Sequence, residues 1–200
     1  MKRNPAPHCM QRILTTVMLL FCATIQAAGD PLPPDSIYHL RAPLTDQNGV
    51  RQTLAATKGH VTFMTMFYSN CDNVCPLIIE TLKMTEAAIG EAQRGRLRAT
   101  LISLDPARDT PARLKELSAQ RHIDQSRWTL LTTDAKTVRK IAALLGVQYR
   151  QLGNGGFNHA SVLILLDREG RMLARTTTLG AVDASFVAAA RKALAQAERS

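Results

Sequence analysis

Aromatic residues are scarce in this chain, nine among 200, and there is one tryptophan. No Lys/Arg block is interleaved with aromatic side chains. Base stacking along a charged groove therefore has little to stand on, and no nucleic-acid partner is expected. No apolar run reaches the roughly 20 residues of a membrane span, and no internal repeat or low-complexity tract is present. Acid is missing from the leading segment, which carries Lys2, Arg3 and Arg12, so three of the nine net positive charges sit there. The remaining charge is scattered and reads as a solvated surface biased toward an acidic partner. Cysteine is also sparse, with four in the chain.

What is there begins with that leading segment: a basic start, a charge-free run from Ile13 to Ile25, then Ala27 and Ala28. This order predicts a secretory signal over residues 1–27. Ile25 stands where a small residue fits a cleavage site better, so a short uncleaved anchor is the alternative. Leu20-Phe21 ahead of Cys22 places a bulky ring where lipidation wants a small residue, which argues against a lipoprotein. Residues 28–35, with three prolines, read as a linker, and 36–200 as one globular domain. The expected location is outside the cytoplasm, in a periplasm or on the outer face of the cytoplasmic membrane. Losing the leader removes Cys9 and Cys22 and leaves Cys71 and Cys75. A pair this close encloses too small a loop to stabilise a fold by much, so its role is more chemical than structural.

Ile37 to Leu40 and a short stretch around Leu44, with the polar turn Asp46-Gln47-Asn48-Gly49, predict an N-terminal β-hairpin. Val61 to Tyr68 is rich in β-branched and aromatic residues and predicts a strand ending just before Cys71. Beyond Cys75, Ile78, Leu82, Thr85 and Ile89 recur at helical spacing, with Pro76 suited to a first turn. Leu97 to Leu104 reads as a strand buried on both faces. Thr110 caps a helix to about Arg121. Trp128 to Leu131 is a strand, and Asp134 opens a helix stopped by Gly146. Val147 to Leu152, Ser161 to Leu166 and Met172 to Thr178 read as strands, the last two joined by Asp167-Arg168-Glu169-Gly170, and Asp183 opens a closing helix. This order predicts an α/β domain whose mixed central sheet has helices on both faces.

The chemistry concentrates in Cys71-Asp72-Asn73-Val74-Cys75-Pro76. Two thiols four positions apart at a helix mouth can be aimed at one point. The helix start favours negative charge and draws Cys75 toward thiolate, the form that binds metal or attacks a disulfide. His159 ends the glycine-rich stretch Asn154-Gly155-Gly156-Phe157-Asn158, read here as a loop that delivers an imidazole to the start of a core strand. Two thiolates and one imidazole suit Cu(I), which is content with two or three ligands. Zinc would take a fourth, which Asp72 could supply. A plain disulfide, or dithiol redox exchange by Cys71 and Cys75 alone, is equally open on spacing. His39, His60 and His122 read as solvated side chains.

Tyr68-Ser69, Cys71, Val74-Cys75-Pro76, Ile102-Ser103-Leu104-Asp105-Pro106, Arg108-Asp109-Thr110-Pro111, Trp128 and Asn158-His159 ahead of Ser161 to Asp167 follow one another in this order. In that series the chain resembles the Sco/SenC family of copper-handling proteins, from about Ser36 to the last helix. The resemblance implies a thioredoxin-like three-layer α/β/α fold and one copper ion, Cu(I) or Cu(II), held by Cys71, Cys75 and His159. It implies a metallochaperone more than an enzyme, with a respiratory copper-protein subunit, such as a cytochrome c oxidase copper centre, as recipient. An upstream copper donor and a thiol reductant would complete the set of partners, close to a membrane. The alternative function is a thiol-disulfide oxidoreductase that keeps the recipient's cysteines reduced. Where the family commonly has Pro and Asp between its cysteines this chain has Asp72 and Asn73, and Phe67 replaces a family glycine. The segment from Asp105 to Pro111 is read as scaffold, with Arg108 pairing to Asp105 or Asp109.

Overall fold

The computed structural model describes residues 31–70, 74–153 and 155–198, apart from the side chains of Val74 and Cys75. The leader, Cys71, Asp72, Asn73 and Asn154 lie outside the described residues. Residues from Leu32 onward belong to one compact unit.

Ser36 opens the body by accepting a hydrogen bond at Oγ from the Tyr38 amide, 3.2 Å. That contact closes a 3-10 turn over Ile37–His39, where a first hairpin strand was expected. The reason is burial: Ile37 and Tyr38, adjacent in sequence, both enter the core, and a strand would send them to opposite faces. The hairpin lies further on, between β1 (Leu44–Asp46) and β2 (Arg51–Gln52). Its turn is the expected one, with Asp46 Oδ1 accepting from the amides of Asn48 and Val50, both at 2.8 Å. It is also an edge of the main sheet, because β1 pairs with β5.

The following elements are β3 (Val61–Phe67), α1 (Val74–Ile89), the short α2 (Glu91–Arg94), β4 (Leu97–Ser103), α3 (Pro111–Gln120), β5 (Trp128–Thr132) and α4 (Ala135–Leu145). After them come β6 (Tyr149–Gln151), β7 (Phe157–His159), β8 (Leu163–Leu166), β9 (Met172–Thr176) and α5 (Ala184–Ala197). The central sheet runs β2-β1-β5-β4-β3-β8-β9. β3, β4 and β5 are parallel, while β1 and β8 pair antiparallel to β5 and β3. This is the mixed sheet with helical layers that the element order predicts, and the thioredoxin-like fold that the family resemblance implies.

Every residue of β3 is buried, as an interior strand of a sheet covered on both faces must be. Phe63 of β3 stacks on Phe186 of α5 with ring centroids 5.3 Å apart. Lys83 of α1 reaches the Arg121 carbonyl at the end of α3, 2.7 Å. Thr110, Asp134 and Asp183 cap α3, α4 and α5 as their residue types suggest.

The stretch Val147–Leu152 differs from expectation. It does not join the central sheet, because Gly146 adopts a left-handed cap and the Val147 amide bonds back to the Ala142 carbonyl, 2.8 Å, completing the end of α4. Only Tyr149–Gln151 is strand, and it pairs antiparallel with Phe157–His159 in a separate two-stranded sheet. His159 therefore sits on a short strand, not in a loop, with the glycine-rich stretch confined to the hairpin turn.

Candidate metal centre

β3 ends at Phe67, and Tyr68, Ser69 and Asn70 lead directly into the Cys71 segment. α1 begins at Val74, one residue before Cys75, so Cys75 lies inside the first turn and not ahead of it. No acidic residue occupies that turn. Unpaired amides there favour a thiolate over a thiol.

His159 comes to the same place from the other end of the chain. Its ring meets Tyr68 edge to face, centroids 5.9 Å apart and planes at 74°. Phe157 packs on the same Tyr68 at 5.2 Å, and Tyr149 lies behind Phe157 at 6.2 Å. This aromatic group seats the β6–β7 hairpin against Tyr68, just beyond the end of β3 and three residues ahead of Cys71 in the chain. His159 is half-buried, and its Nδ1 is buried without a hydrogen-bond partner among the described residues. Burial pushes the imidazole below its ordinary pKa, against a smaller upward pull from the Ala160 backbone. A neutral ring with an unused buried nitrogen is the form a metal ligand takes. Left unfilled, such an atom costs about 1–3 kcal/mol.

The segment from Asp105 to Asp109 stands between these two parts. Asp109 is fully buried and accepts from the Ser69 amide at 3.1 and 3.2 Å and from Ser103 Oγ at 2.5 Å. Arg108 pairs with Asp105, also buried, and donates to the Gly155 carbonyl in the hairpin turn. The scaffold reading of this segment has a concrete form: Asp109 fixes the approach to Cys71, and Arg108 touches the turn ahead of His159. Neither partner was named by the sequence, because Ser69 and Gly155 lie 40 and 47 residues away. Tyr68 entered the sequence reading as a strand end and as a member of the family series, with no packing role. Its position just before the cysteine segment was the one available signal of its packing role.

The other described histidines lie elsewhere. His39 is exposed and bonds the Pro33 carbonyl at 2.9 Å, His60 precedes β3 at the end of that strand away from Tyr68, and His122 is exposed. His60 is not simply solvated: partial burial, with Arg98 and Arg168 nearby, lowers its pKa. Among the described residues no three His, Cys, Asp or Glu side chains cluster as a metal site. Cys71 and the Cys75 side chain fall outside them. No described helix is long and apolar enough to cross a membrane.

The family model described as SCO1/SenC matches residues 40–195. Protein SCO2, mitochondrial, of Saccharomyces cerevisiae is 33% identical over 79 residues, 40% of this chain and 26% of that protein's length. The structure of Bradyrhizobium japonicum ScoI with copper bound superposes with a TM-score of 0.62 and 26% identity, covering 79% of this chain and 96% of that one. BsSco, described as having a disulfide switch and as a member of the Sco family of cytochrome c oxidase assembly proteins, superposes with a TM-score of 0.64 at 20% identity. That match covers 76% of this chain and 91% of the other and shows the shared fold.

Proposed function

Because this chain belongs to the SCO1/SenC family, we propose that it carries one copper ion, as cargo, on Cys71, Cys75 and His159 and passes it by ligand exchange to a respiratory copper protein. A cytochrome c oxidase copper centre outside the cytoplasm is the proposed recipient. The observation that supports the reading is His159: its imidazole packs edge to face on Tyr68, three residues ahead of Cys71 in the chain, with Nδ1 buried and unpartnered among the described residues and its pKa lowered by burial. Two thiolates at a helix start supply the soft donors, and Cu(I) accepts three ligands where zinc asks for four. With neutral imidazole the set carries one net negative charge, which the unpaired amides of α1 offset. Cysteine and imidazole ligands exchange one at a time, so an incoming recipient thiolate can replace His159 first.

Anaerobic titration of the reduced chain with copper tests this directly. One equivalent should bind, with thiolate-to-Cu(II) absorption bands when Cu(II) is used. His159→Ala should weaken binding sharply while leaving dithiol exchange with a small disulfide largely intact. Copper affinity unchanged in His159→Ala would sink the three-ligand site.

The position of Cys75 inside the first turn of α1 also favours a second reading, dithiol exchange with a recipient's cysteines. A chain that bound no copper yet reduced a recipient disulfide would replace the first reading with this one.

A further inference from the structure

The backbone at Ser69, just ahead of Cys71 in sequence, and the turn of the hairpin that bears His159 are both held by one turn, and they are held unequally. Asp105 to Asp109 form a tight turn after β4, with the amides of Arg108 and Asp109 both bonding the Asp105 carbonyl at 3.1 and 2.9 Å. From it, the fully buried Asp109 takes the Ser69 amide with both carboxylate oxygens. That arm is shielded from water and anchored a second time on Ser103. The other arm is Arg108, whose side chain is 39% exposed and which spans from Asp105 to the Gly155 carbonyl. Gly155 has φ +80°, and a Cβ there would approach Arg108 Nη1 to 3.3 Å. The turn is thus shaped to let the guanidinium reach the backbone.

The hairpin this arm touches is weakly built. β6 and β7 are three residues each, and they bond each other and not the seven-stranded sheet. Isolated two-stranded hairpins are marginal in water, so a tether at the turn weighs heavily on where β7 stands. We propose that residues 105–109 act as a two-armed clamp in which the buried Asp109 is the fixed arm, holding the Ser69 backbone that leads toward Cys71, and Arg108 is the releasable latch on the His159 hairpin. Arg108 is a positioning residue: it acts on His159 through Gly155 and the hairpin turn. Opening it lets β7 move away and takes His159 off the cysteine site. That the latch sets the rate of copper release rests on the copper reading above, whereas its hold on the hairpin does not.

Two measurements on the full chain separate these statements. In the metal-free protein, amide hydrogen exchange is followed at Gly155 and Ala160, whose amides close the hairpin, with Leu163–Leu166 of β8 as internal control. Arg108→Ala should lower protection in the hairpin about tenfold, the loss of one charge-assisted hydrogen bond, and leave β8 unchanged. Arg108→Lys, with one ammonium in place of a fork, cannot satisfy Asp105 and Gly155 together and should fall between. In the reduced, Cu(I)-loaded protein, transfer to a Cu(I) chelator should be about tenfold faster in Arg108→Ala. Hairpin protection equal to wild type would overturn the latch. So would a loss shared equally by β8, which marks general destabilisation. Unlatched exchange with an unchanged transfer rate would overturn its role in release. A wild-type chain that takes up no Cu(I) refutes the proposed function instead, and the exchange measurement still decides the clamp.

Discussion

Gly170 shows how one residue without a side chain can fix the start of a domain. It has φ +82°, and a Cβ built there would lie 2.7 to 2.9 Å from three atoms of the buried Tyr38 ring. Its carbonyl also receives the Ile37 amide at 3.0 Å. Gly170→Ala should cost ~2–4 kcal/mol, combining a left-handed backbone with overpacking. Gly49 has a similar φ of +81° with nothing within 4 Å of the added Cβ, so Gly49→Ala should cost only ~1 kcal/mol. Thermal melts of the two variants isolate the ring overlap as their difference, and equal shifts would show that Tyr38 moves aside without cost. A second residue-scale test uses the single tryptophan. Trp128 Nε1 donates to the buried Glu86 at 2.9 Å, and Arg127 pairs with the same carboxylate at 3.1 Å. Burial raises the Glu86 pKa, and these donors oppose the rise. Arg127 also pairs with Asp124 at 2.8 Å, so Glu86→Ala should cost ~1–3 kcal/mol, mainly by leaving the buried indole N–H without its acceptor, with a change in Trp128 emission before any unfolding. A stability equal to wild type would show that Asp124 alone satisfies Arg127.

At the scale of elements, α5 closes the domain and depends on its cap. Asp183 accepts from the amides of Ser185 and Phe186 and from the hydroxyls of Ser185 and Thr176. The Ser185 and Thr176 hydroxyls are the leading causes that hold its pKa at about 2, below the ordinary 3.8. The folded state therefore binds this proton less readily than the unfolded chain. The stabilisation is complete above pH 3.8 and is lost as pH falls toward about 2. Asp183→Ala should melt below wild type at neutral pH, and the gap should narrow through that acid window. A gap independent of pH would mean that the charge of Asp183 contributes nothing. The β6–β7 hairpin is the contrasting element, since Tyr68 carries its packing against the body through Phe157 and His159. Tyr68→Ala should raise hydrogen exchange in β7 while sparing β4, and Tyr68→Phe, which keeps the ring but loses the hydroxyl that donates to the Phe157 carbonyl at 3.5 Å, should raise it less. Equal exchange in all three would leave the hairpin's seat to other contacts. The three helix caps at Thr110, Asp134 and Asp183 and the hairpin turn at Asp167–Gly170 were legible locally, because their backbone contacts are made by residues two to four positions apart. β6 was not, because one half-buried and two exposed residues carry too little alternation to tell which sheet they join.

For the whole molecule, cargo and stability are linked. Copper that binds the folded chain and not the unfolded one should stabilise it by about 2.7 kcal/mol at a free concentration one hundred times Kd. Wild type should therefore melt higher with Cu(I) present, and His159→Ala should lose most of that gain. An undiminished gain in the variant would place the third ligand elsewhere. By itself the sequence determined the alternation of strands and helices, the caps, and the family likeness that names Cys71, Cys75 and His159, since periodicity, capping and motif order are local properties of the chain. Only the tertiary structure decided that His159 rides on its own small hairpin beside Tyr68, that Asp109 and Arg108 reach Ser69 and Gly155, and that Ile37 and Tyr38 turn inward together. Those are pairings across tens of residues, and they form because burial on a shared core leaves one arrangement in which each polar group finds its partner.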